Sequence, residues 1–142
     1  SSDLGYLSIR DIKWIKRESE LGIVLDPIQI NNGYGTEAIS LFLNYYFSDL
    51  KMLSITLRTA KFNKRAIKCY LNCGFAINKE VSEEFEDQYS EIFYNPLYRN
   101  IKQYFKIVGG KRMTDYFHMK LTKEEFYKNT NNLSTCTAKD CE

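Results

Sequence analysis

Residues 20–40 constrain the fold most, because an apolar strand there runs into a glycine-containing loop that opens an apolar helix. Gly33 and Gly35 let the backbone turn tightly with its N–H groups facing one point. A helix that begins near Thr36 carries about half a positive charge at its first turn and leaves its first N–H groups without partners. The stretch therefore predicts a site for an anion such as a phosphate. The apolar residues of the predicted strand are Leu21, Ile23, Val24 and Leu25.

The glycine spacing separates this loop from two common phosphate-binding loops. No Gly-Lys-Ser/Thr follows, as a P-loop requires, and no third glycine or ribose-binding acid follows, as a dinucleotide fingerprint requires. Two glycines before a helix also occur as ordinary turn residues. If the loop binds a ligand, the sequence indicates a nucleotide-bearing ligand of another kind.

Composition narrows the class of partner and compartment. The 142 residues predict one domain. A formal charge of +2 gives no strongly basic field, which disfavours a nucleic-acid partner. There is no apolar run of about 18 residues, so no membrane partner is predicted. Four unevenly spaced cysteines do not form a secreted disulfide framework and no signal peptide is evident, which favours a reduced, cytoplasmic compartment.

Three residues that often carry metal or nucleophile chemistry favour ordinary structural roles here. Cys69 and Cys73 lie about one helical turn apart, but no nearby Cys or His pair completes a zinc site. We therefore expect two packed free thiols and no metal. His118 falls in an apolar run without a Ser or Cys partner in a motif context, so a hydrolase triad is disfavoured and a strand position is predicted.

The first half of the chain predicts a hairpin followed by a strand, a helix and a strand. Residues 5–12 and 20–25 read as antiparallel strands, and residues 52–57 as a buried strand parallel to the second through a right-handed crossover. This topology places the glycine loop at the carboxyl end of a strand. The helix between them presents a wide apolar arc, formed by Ala38, Ile39, Leu41, Phe42, Tyr45 and Tyr46.

The second half predicts a helix capped by Asn63 and ended by Gly74, with a strand from Phe75. Residues 80–91 are acidic and predict a solvated loop or helix face; the alternative is a collar that attracts a polyamine or basic peptide. Later elements are predicted as a hairpin of residues 101–108 and 111–121 around Gly109-Gly110, a short helix at 123–128, and a mobile polar tail at 129–142.

The order strand, glycine loop, helix, strand, followed by N-x-x-A-x-x-x-Y-x-x-x-G-F, resembles the GNAT superfamily of N-acetyltransferases. The ending M-T-D-Y-F-H-M-K-L-T-K-E-E-F is similar to that of its ribosomal-protein and spermidine (diamine) acetyltransferase branch. The resemblance covers about residues 5–128 and implies an α/β (α+β) fold in one domain over residues 1–128. That fold is a mixed, mostly antiparallel sheet with a central parallel strand pair and helices on both faces. The motif residues are Asn63, Ala66, Tyr70, Gly74 and Phe75.

Two departures from the family pattern stand out. Where the family has Gln or Arg in Q/R-x-x-G-x-G/A, this sequence has Ile30, with Gln29 one place early. The backbone donors remain, so the resemblance implies weaker binding of acetyl-CoA rather than none. The strand and two helices that open family members are also missing. Either the sequence is a piece of a longer chain, or a partner subunit, such as a second copy in a homo-oligomer, supplies that wall.

The resemblance implies transfer of the acetyl group of acetyl-CoA to a primary amine by direct attack. It places the Tyr70 hydroxyl near the thioester sulfur as general acid, where periodicity alone would favour a core tyrosine. Glu20 is the nearest candidate base, against the alternative of an exposed strand end, and Asn63 is a pantetheine contact, a helix cap, or both. The expected cofactor-binding residues are Ile23, Val24, Leu25, Ile30, Asn31, Asn32, Gly33, Tyr34, Gly35, Thr36 and Asn63.

The sequence leaves the class of function open among three readings. The first is an active N-acetyltransferase whose acceptor is a small amine or a basic peptide: a polyamine, or a protein N-terminus or lysine, the acidic residues 80–91 favouring a cation. The second is a catalytically idle module of the same fold that binds CoA or a protein. The third, RNA binding through tyrosines and lysines, predicts steep salt dependence and is the least favoured.

Overall fold

A computed structural model describes residues 5–25 and 34–139, with only the backbone for residues 24, 25, 34 and 132–139. The strands are β1 (Gly5–Lys13), β2 (Glu18–Leu25), β3 (Ser54–Ala60), β4 (Ala76–Glu84), β5 (Phe105–Val108) and β6 (Lys111–Thr122). The helices are α1 (Tyr34–Asn44), α2 (Lys64–Asn72) and α3 (Lys123–Lys139).

The strands form one six-stranded sheet in the order β1-β2-β3-β6-β4, with β5 also paired to β6. The β2–β3 pair is parallel and the others are antiparallel. The predicted mixed, mostly antiparallel sheet with a central parallel pair is therefore confirmed. The opening hairpin and the hairpin around Gly109-Gly110 are confirmed as well, and both glycines have positive φ, as such a turn requires.

The three helices share one hydrophobic core on one face of the sheet. Side chains alternate along a strand, so Leu57 of β3 and Met119 of β6 face this core, where both are buried. Arg58 and His118, one position along, face the other way. The sequence predicted helices on both faces; within the described residues the second face carries charged side chains and the irregular connection formed by residues 85–104.

The apolar arc after the glycine loop does not form a continuous α-helix. It ends at Asn44 and continues as a π-helical turn, Tyr45–Asp49, whose wider winding rotates the side chains. Within this turn Tyr46 is fully buried and Tyr45 is 49% exposed, whereas Leu41, in the regular part of α1, is 68% exposed. The prediction that Leu41 and Tyr45 share the buried face is therefore wrong.

Two further predictions need correction. Residues 80–84 belong to β4, not to a loop or helix, because this stretch pairs with β6. The last helix does not end at residue 128 but continues to Lys139, through the first part of the predicted tail. Its polar residues are accommodated locally: the Thr130 hydroxyl donates a hydrogen bond to the Phe126 carbonyl at 2.8 Å.

Candidate active site

The two parallel strands separate after a short paired stretch. β2 pairs with β3 only from Glu18 to Glu20, opposite Ser54 to Thr56. Beyond this point β2 continues to pair with β1, and β3 continues to pair with β6. The facing edges of β2 and β3 then present backbone groups that are not paired to each other, which leaves an opening in the sheet. Ile23, Val24 and Leu25 lie along this edge.

A buried hydroxyl fixes the point where the strands part. Tyr46 donates a hydrogen bond to the Ser54 carbonyl of β3 at 2.6 Å, and its oxygen lies 2.8 Å from the Ser19 hydroxyl of β2. Burial raises the pKa of Tyr46, so it remains a neutral phenol. The tyrosine therefore holds β2 and β3 together directly below the opening.

A cavity of about 250 Å³ fills the opening and reaches both faces of the sheet. Its walls include Leu57 and Thr59 from the helix side and Arg58 and Ala60 from the second face. A larger cavity of about 620 Å³ lies among the three helices but contains none of the predicted catalytic or cofactor-binding residues. The other lining residues of the smaller cavity are Arg10, Leu21, Ile23, Asn63, Tyr70, Phe85, Glu86, Asp87 and Tyr116.

Tyr70 lies on α2 and lines this cavity, and residues next to α2 in the sequence determine where the helix begins and ends. Asn63 caps its start, and Gly74 follows its end with φ of +103°, as predicted. A Cβ at Gly74 would lie 2.9 Å from Asn129 Nδ2, the end of a side chain that can move, so the positive φ is the main reason for glycine at this position. Just after the end of the helix, Phe75 packs edge-on against Tyr70, with ring centroids 6.3 Å apart.

The environment of Tyr70 keeps its hydroxyl protonated. The residue is only 7% exposed, and burial, followed by the neighbouring Cys69 and Cys73 thiols, raises its pKa well above the ordinary value. No hydrogen bond joins its hydroxyl to the residues that the structure describes. A neutral phenol that faces a cavity without a partner can donate its proton to a bound group.

Asn63 serves as the cap and lines the cavity. Its side-chain oxygen accepts a hydrogen bond from the Ala66 N–H at 3.3 Å. The amide of the same side chain has two further N–H donors, so a ligand contact remains open to it. The expectation that one residue could serve both purposes is compatible with this geometry, and its ligand contact stays a prediction.

We expect Asn63→Ala to lower the free energy of unfolding by about 1 kcal/mol, because the first turn of α2 loses its side-chain acceptor. Chemical denaturation measures this difference. Asn72→Ala, at the exposed last position of the same helix, is the matched control and should change stability by less. Equal losses in the two variants would contradict the capping role.

Glu20 is part of a charged network on the second face. Its carboxylate accepts a hydrogen bond from Arg58 Nε at 2.9 Å, and Arg58 also pairs with Glu83 at 2.8 Å and Glu86 at 3.3 Å. These partners raise the pKa of Arg58, and the hydrogen bond that Arg58 donates to Glu20 has the largest effect. Glu20 is therefore not the exposed strand-end residue that the sequence offered as an alternative, because its side chain is largely covered and ion-paired. The ion pair weighs against Glu20 as a free base, and that role stays a prediction.

The pKa of Glu83 makes this network sensitive to acid. Burial alone would raise it, but hydrogen bonds from His118 and Arg58 more than offset burial and hold it below its ordinary value. The ordinary value is about 4.3. Ionised Glu83 therefore contributes stability that is fully present above about pH 4.3 and is lost as the pH falls through the lower, folded-state pKa.

We accordingly expect Glu83→Gln to flatten the fall in melting temperature on acidification below about pH 4.3. Melting curves recorded from about pH 3 to about pH 7 provide the measurement. Glu84→Gln is the matched control, because Glu84 pairs with the exposed Lys111 at 3.1 Å and lies outside the network of Glu83. An identical acid response in wild type and Glu83→Gln would refute the assignment.

The start of α1 packs against α2 through sulfur and hydroxyl groups. The helix begins at Tyr34, two residues before the predicted Thr36. The Thr36 hydroxyl lies 3.3 Å from Cys69 Sγ, and the buried Cys69 and Cys73 are free thiols, as predicted. Four predicted cofactor-binding residues lie outside the described residues: Ile30, Asn31, Asn32 and Gly33.

From the sequence alone, no role at the site is predicted for three residues that shape it: Tyr46, which is placed only in the apolar arc of α1, Arg58 and Tyr116. Apolar and polar residues alternate along β3, S-I-T-L-R-T-A, and this alternation could have predicted that Arg58 lies on the face opposite the core. Within the described residues, no three His, Cys, Asp or Glu side chains gather closely enough to hold a metal ion. The described helices are each too short or too polar to span a membrane.

Comparison with known proteins agrees with this geometry. The sequence profile of the acetyltransferase (GNAT) domain matches residues 1–76. The chain is 28% identical over 102 residues to the spermidine N(1)-acetyltransferase of Vibrio cholerae, covering 72% of this chain and 55% of that protein. It is 30% identical over 96 residues to the Escherichia coli K12 protein of the same name, covering 68% of this chain and 48% of that protein. The chain thus spans about half the length of these relatives.

A solved structure shares the fold. The crystal structure of spermidine N-acetyltransferase from Vibrio cholerae in complex with CoA and spermine matches with a TM-score of 0.64 and 22% sequence identity. The match covers 87% of this chain and 60% of that chain. At this level of identity the likeness establishes the architecture of the sheet and helices.

Proposed function

Because this chain belongs to the GNAT acetyltransferase family, we propose that it transfers the acetyl group of acetyl-CoA to a primary amine by direct attack. The observation that carries the proposal is the cavity where β2 and β3 separate, which is lined by Tyr70, a buried phenol with no hydrogen-bond partner in the described part of the chain. Because this opening reaches both faces of the sheet, a donor and an acceptor can approach each other from opposite sides.

The donor is proposed to lie along the separating edge of β2. The backbone groups of Ile23, Val24 and Leu25 would hydrogen-bond the pantetheine arm in place of a neighbouring strand. Asn63 would add a side-chain contact from the start of α2. The diphosphate is proposed to bind the backbone of residues 30–36, where the loop meets the positive end of α1.

The acceptor must lose a proton before it attacks. An alkylamine has a pKa near 10.4, about 3.4 units above neutrality, so presenting it uncharged costs about 4–5 kcal/mol. The proton would pass to Glu20 or to a water chain on the second face. The amine nitrogen then bonds to the thioester carbon, the carbon–sulfur bond breaks, and the thiolate takes a proton from the Tyr70 hydroxyl. The surplus proton on the new amide nitrogen returns through water to the Tyr70 oxygen, which restores the phenol.

The acceptor is proposed to be a polyamine. The relatives are named for acetylation of spermidine, and the solved neighbour contains spermine. On this chain the second face has the matching charge, because Glu20, Glu83 and Glu86 surround a single guanidinium. A basic peptide offers the same chemistry and is the competing acceptor.

The test measures acetyl-CoA binding and CoA release separately. Acetyl-CoA should raise the melting temperature of the wild-type chain, and addition of spermidine should release free thiol and form acetylspermidine. Binding with no turnover on a panel of amines and basic peptides would instead favour the idle CoA-binding module. No binding and no turnover would contradict both.

A further inference from the structure

Residues 85–104 form a long connection where a short turn would suffice. β4 and β6 are antiparallel neighbours whose pairing ends at Glu84 and Met113. The chain instead crosses from one edge of β6 to the other, because β5 pairs with the same part of β6, from Lys111 to Thr114. Connections of this length without regular strands or long helices are uncommon and are usually functional.

An aromatic cluster holds this connection in place. The Phe62 ring lies 6.2 Å from Phe85, 5.9 Å from Tyr104 and 5.4 Å from Phe105. Phe93 packs edge-on against Phe105 at 4.8 Å. Phe62 directly precedes Asn63, so the cluster joins the connection to the start of α2.

Polar contacts fix the connection to the second face of the sheet. The Gln88 amide donates hydrogen bonds to the carbonyls of Phe85 at 2.7 Å and Arg112 at 2.9 Å, and its oxygen accepts one from the Arg112 N–H at 2.8 Å. The Arg112 guanidinium lies 4.1 Å from the centre of the Phe93 ring. The buried Thr114 hydroxyl donates to the Tyr104 carbonyl at 2.8 Å.

The first residues of the connection form a wall of the cavity. Phe85, Glu86 and Asp87 line it together with Tyr70 and the buried Tyr116. The Glu86 carboxylate forms an ion pair with Arg58. Asp87 accepts a hydrogen bond from the Tyr89 N–H at 3.1 Å but has no ion-pair partner within the described residues. Among the residues that the structure describes, the cavity thus combines a carboxylate without an ion-pair partner and a buried phenol without a hydrogen-bond partner.

We propose that the connection is the acceptor-recognition element of the site, with Asp87 as the residue that binds a second ammonium group of a diamine or polyamine. The methylene chain would lie along Phe85 and Tyr116, and the reacting amine would point to the opening beside Tyr70. Arg10 also lines the cavity, where it lies opposite Glu20 across β1 and β2 and packs over Gly22. This inference rests on the proposed function and assigns its specificity.

The test compares spermidine with n-butylamine, which has a similar methylene chain and a single charge. Asp87→Asn should lower kcat/KM and equilibrium affinity for spermidine by about tenfold, since a charge-assisted hydrogen bond becomes a neutral one. The butylamine parameters should stay unchanged. Asparagine retains the oxygen that accepts the Tyr89 N–H, so the turn is preserved. Asp115→Asn, an exposed change of the same charge outside the cavity, is the control.

Calorimetric binding of spermidine separates this inference from the proposed function, because it requires no turnover. Weaker spermidine binding in Asp87→Asn without acetylation by the wild type would support the recognition site and contradict the transferase. Acetylation with equal spermidine parameters in wild type and Asp87→Asn would overturn the recognition site and leave the transferase standing. Equal losses for spermidine and butylamine would also overturn it, since that pattern reports a general disturbance of the cavity.

Discussion

Turnover of Tyr70→Phe is expected to fall by about 10²–10⁴-fold, while the rise in melting temperature caused by acetyl-CoA is retained. The substitution removes the only atom that can protonate the departing thiolate in the proposed mechanism and leaves the ring in its packing against Phe75. Steady-state CoA release measures the loss, and thermal shift measures the retained binding. The phenol is buried, so the cavity should keep its shape.

Tyr45→Phe controls for the loss of a tyrosine hydroxyl, because Tyr45 is half exposed and lies outside the cavity. Its turnover should match that of the wild type. The raised pKa of Tyr70 adds a second readout: kcat should show no alkaline fall from this group below about pH 10, the ordinary pKa of a phenol. Near-normal turnover of Tyr70→Phe would remove the general acid from the mechanism and favour a proton from water.

The part of the site that sequence predicted best is the part that folds locally. Asn63 caps α2, Tyr70 lies on its buried face and Gly74 follows its end, and neighbours within a few residues set all three positions. A sequence motif can therefore specify their relative positions. The parallel pairing of β2 and β3 was likewise predictable, because a strand, helix and strand in succession allow few topologies.

The rest depends on contacts between distant residues. An acidic run such as residues 80–91 is compatible with a loop and with an exposed strand. The pairing of residues 80–84 with β6, which is distant in sequence, decides for the strand. The connection at residues 85–104 carries aromatic residues without regular spacing, so no periodicity revealed that they gather around Phe62. The predicted burial of Tyr45 was wrong because the chain there forms a π-helical turn, and the prediction assumed the period of an α-helix.

Tyr46→Phe should lower the free energy of unfolding by about 1–3 kcal/mol, although the change removes a single oxygen. That oxygen joins the Ser54 carbonyl and the Ser19 hydroxyl, and Ser19 is buried. Without it, both groups lose a partner in a place that water reaches poorly, and desolvated polar groups are costly. Thermal and chemical denaturation measure the loss.

The same substitution also tests how the opening is held. Since Tyr46 connects β2 and β3 just below their separation, its loss should raise the KM for acetyl-CoA more than it lowers kcat, because Tyr70 stands on α2 and keeps its own contacts. Tyr45→Phe removes the same atom from the adjacent, half-exposed residue and should leave stability and KM near the wild-type values. A stability loss without any change in KM would show that the hydroxyl supports the core but not the geometry of the opening, and the cofactor site would then have to be set by β1 and β6 alone.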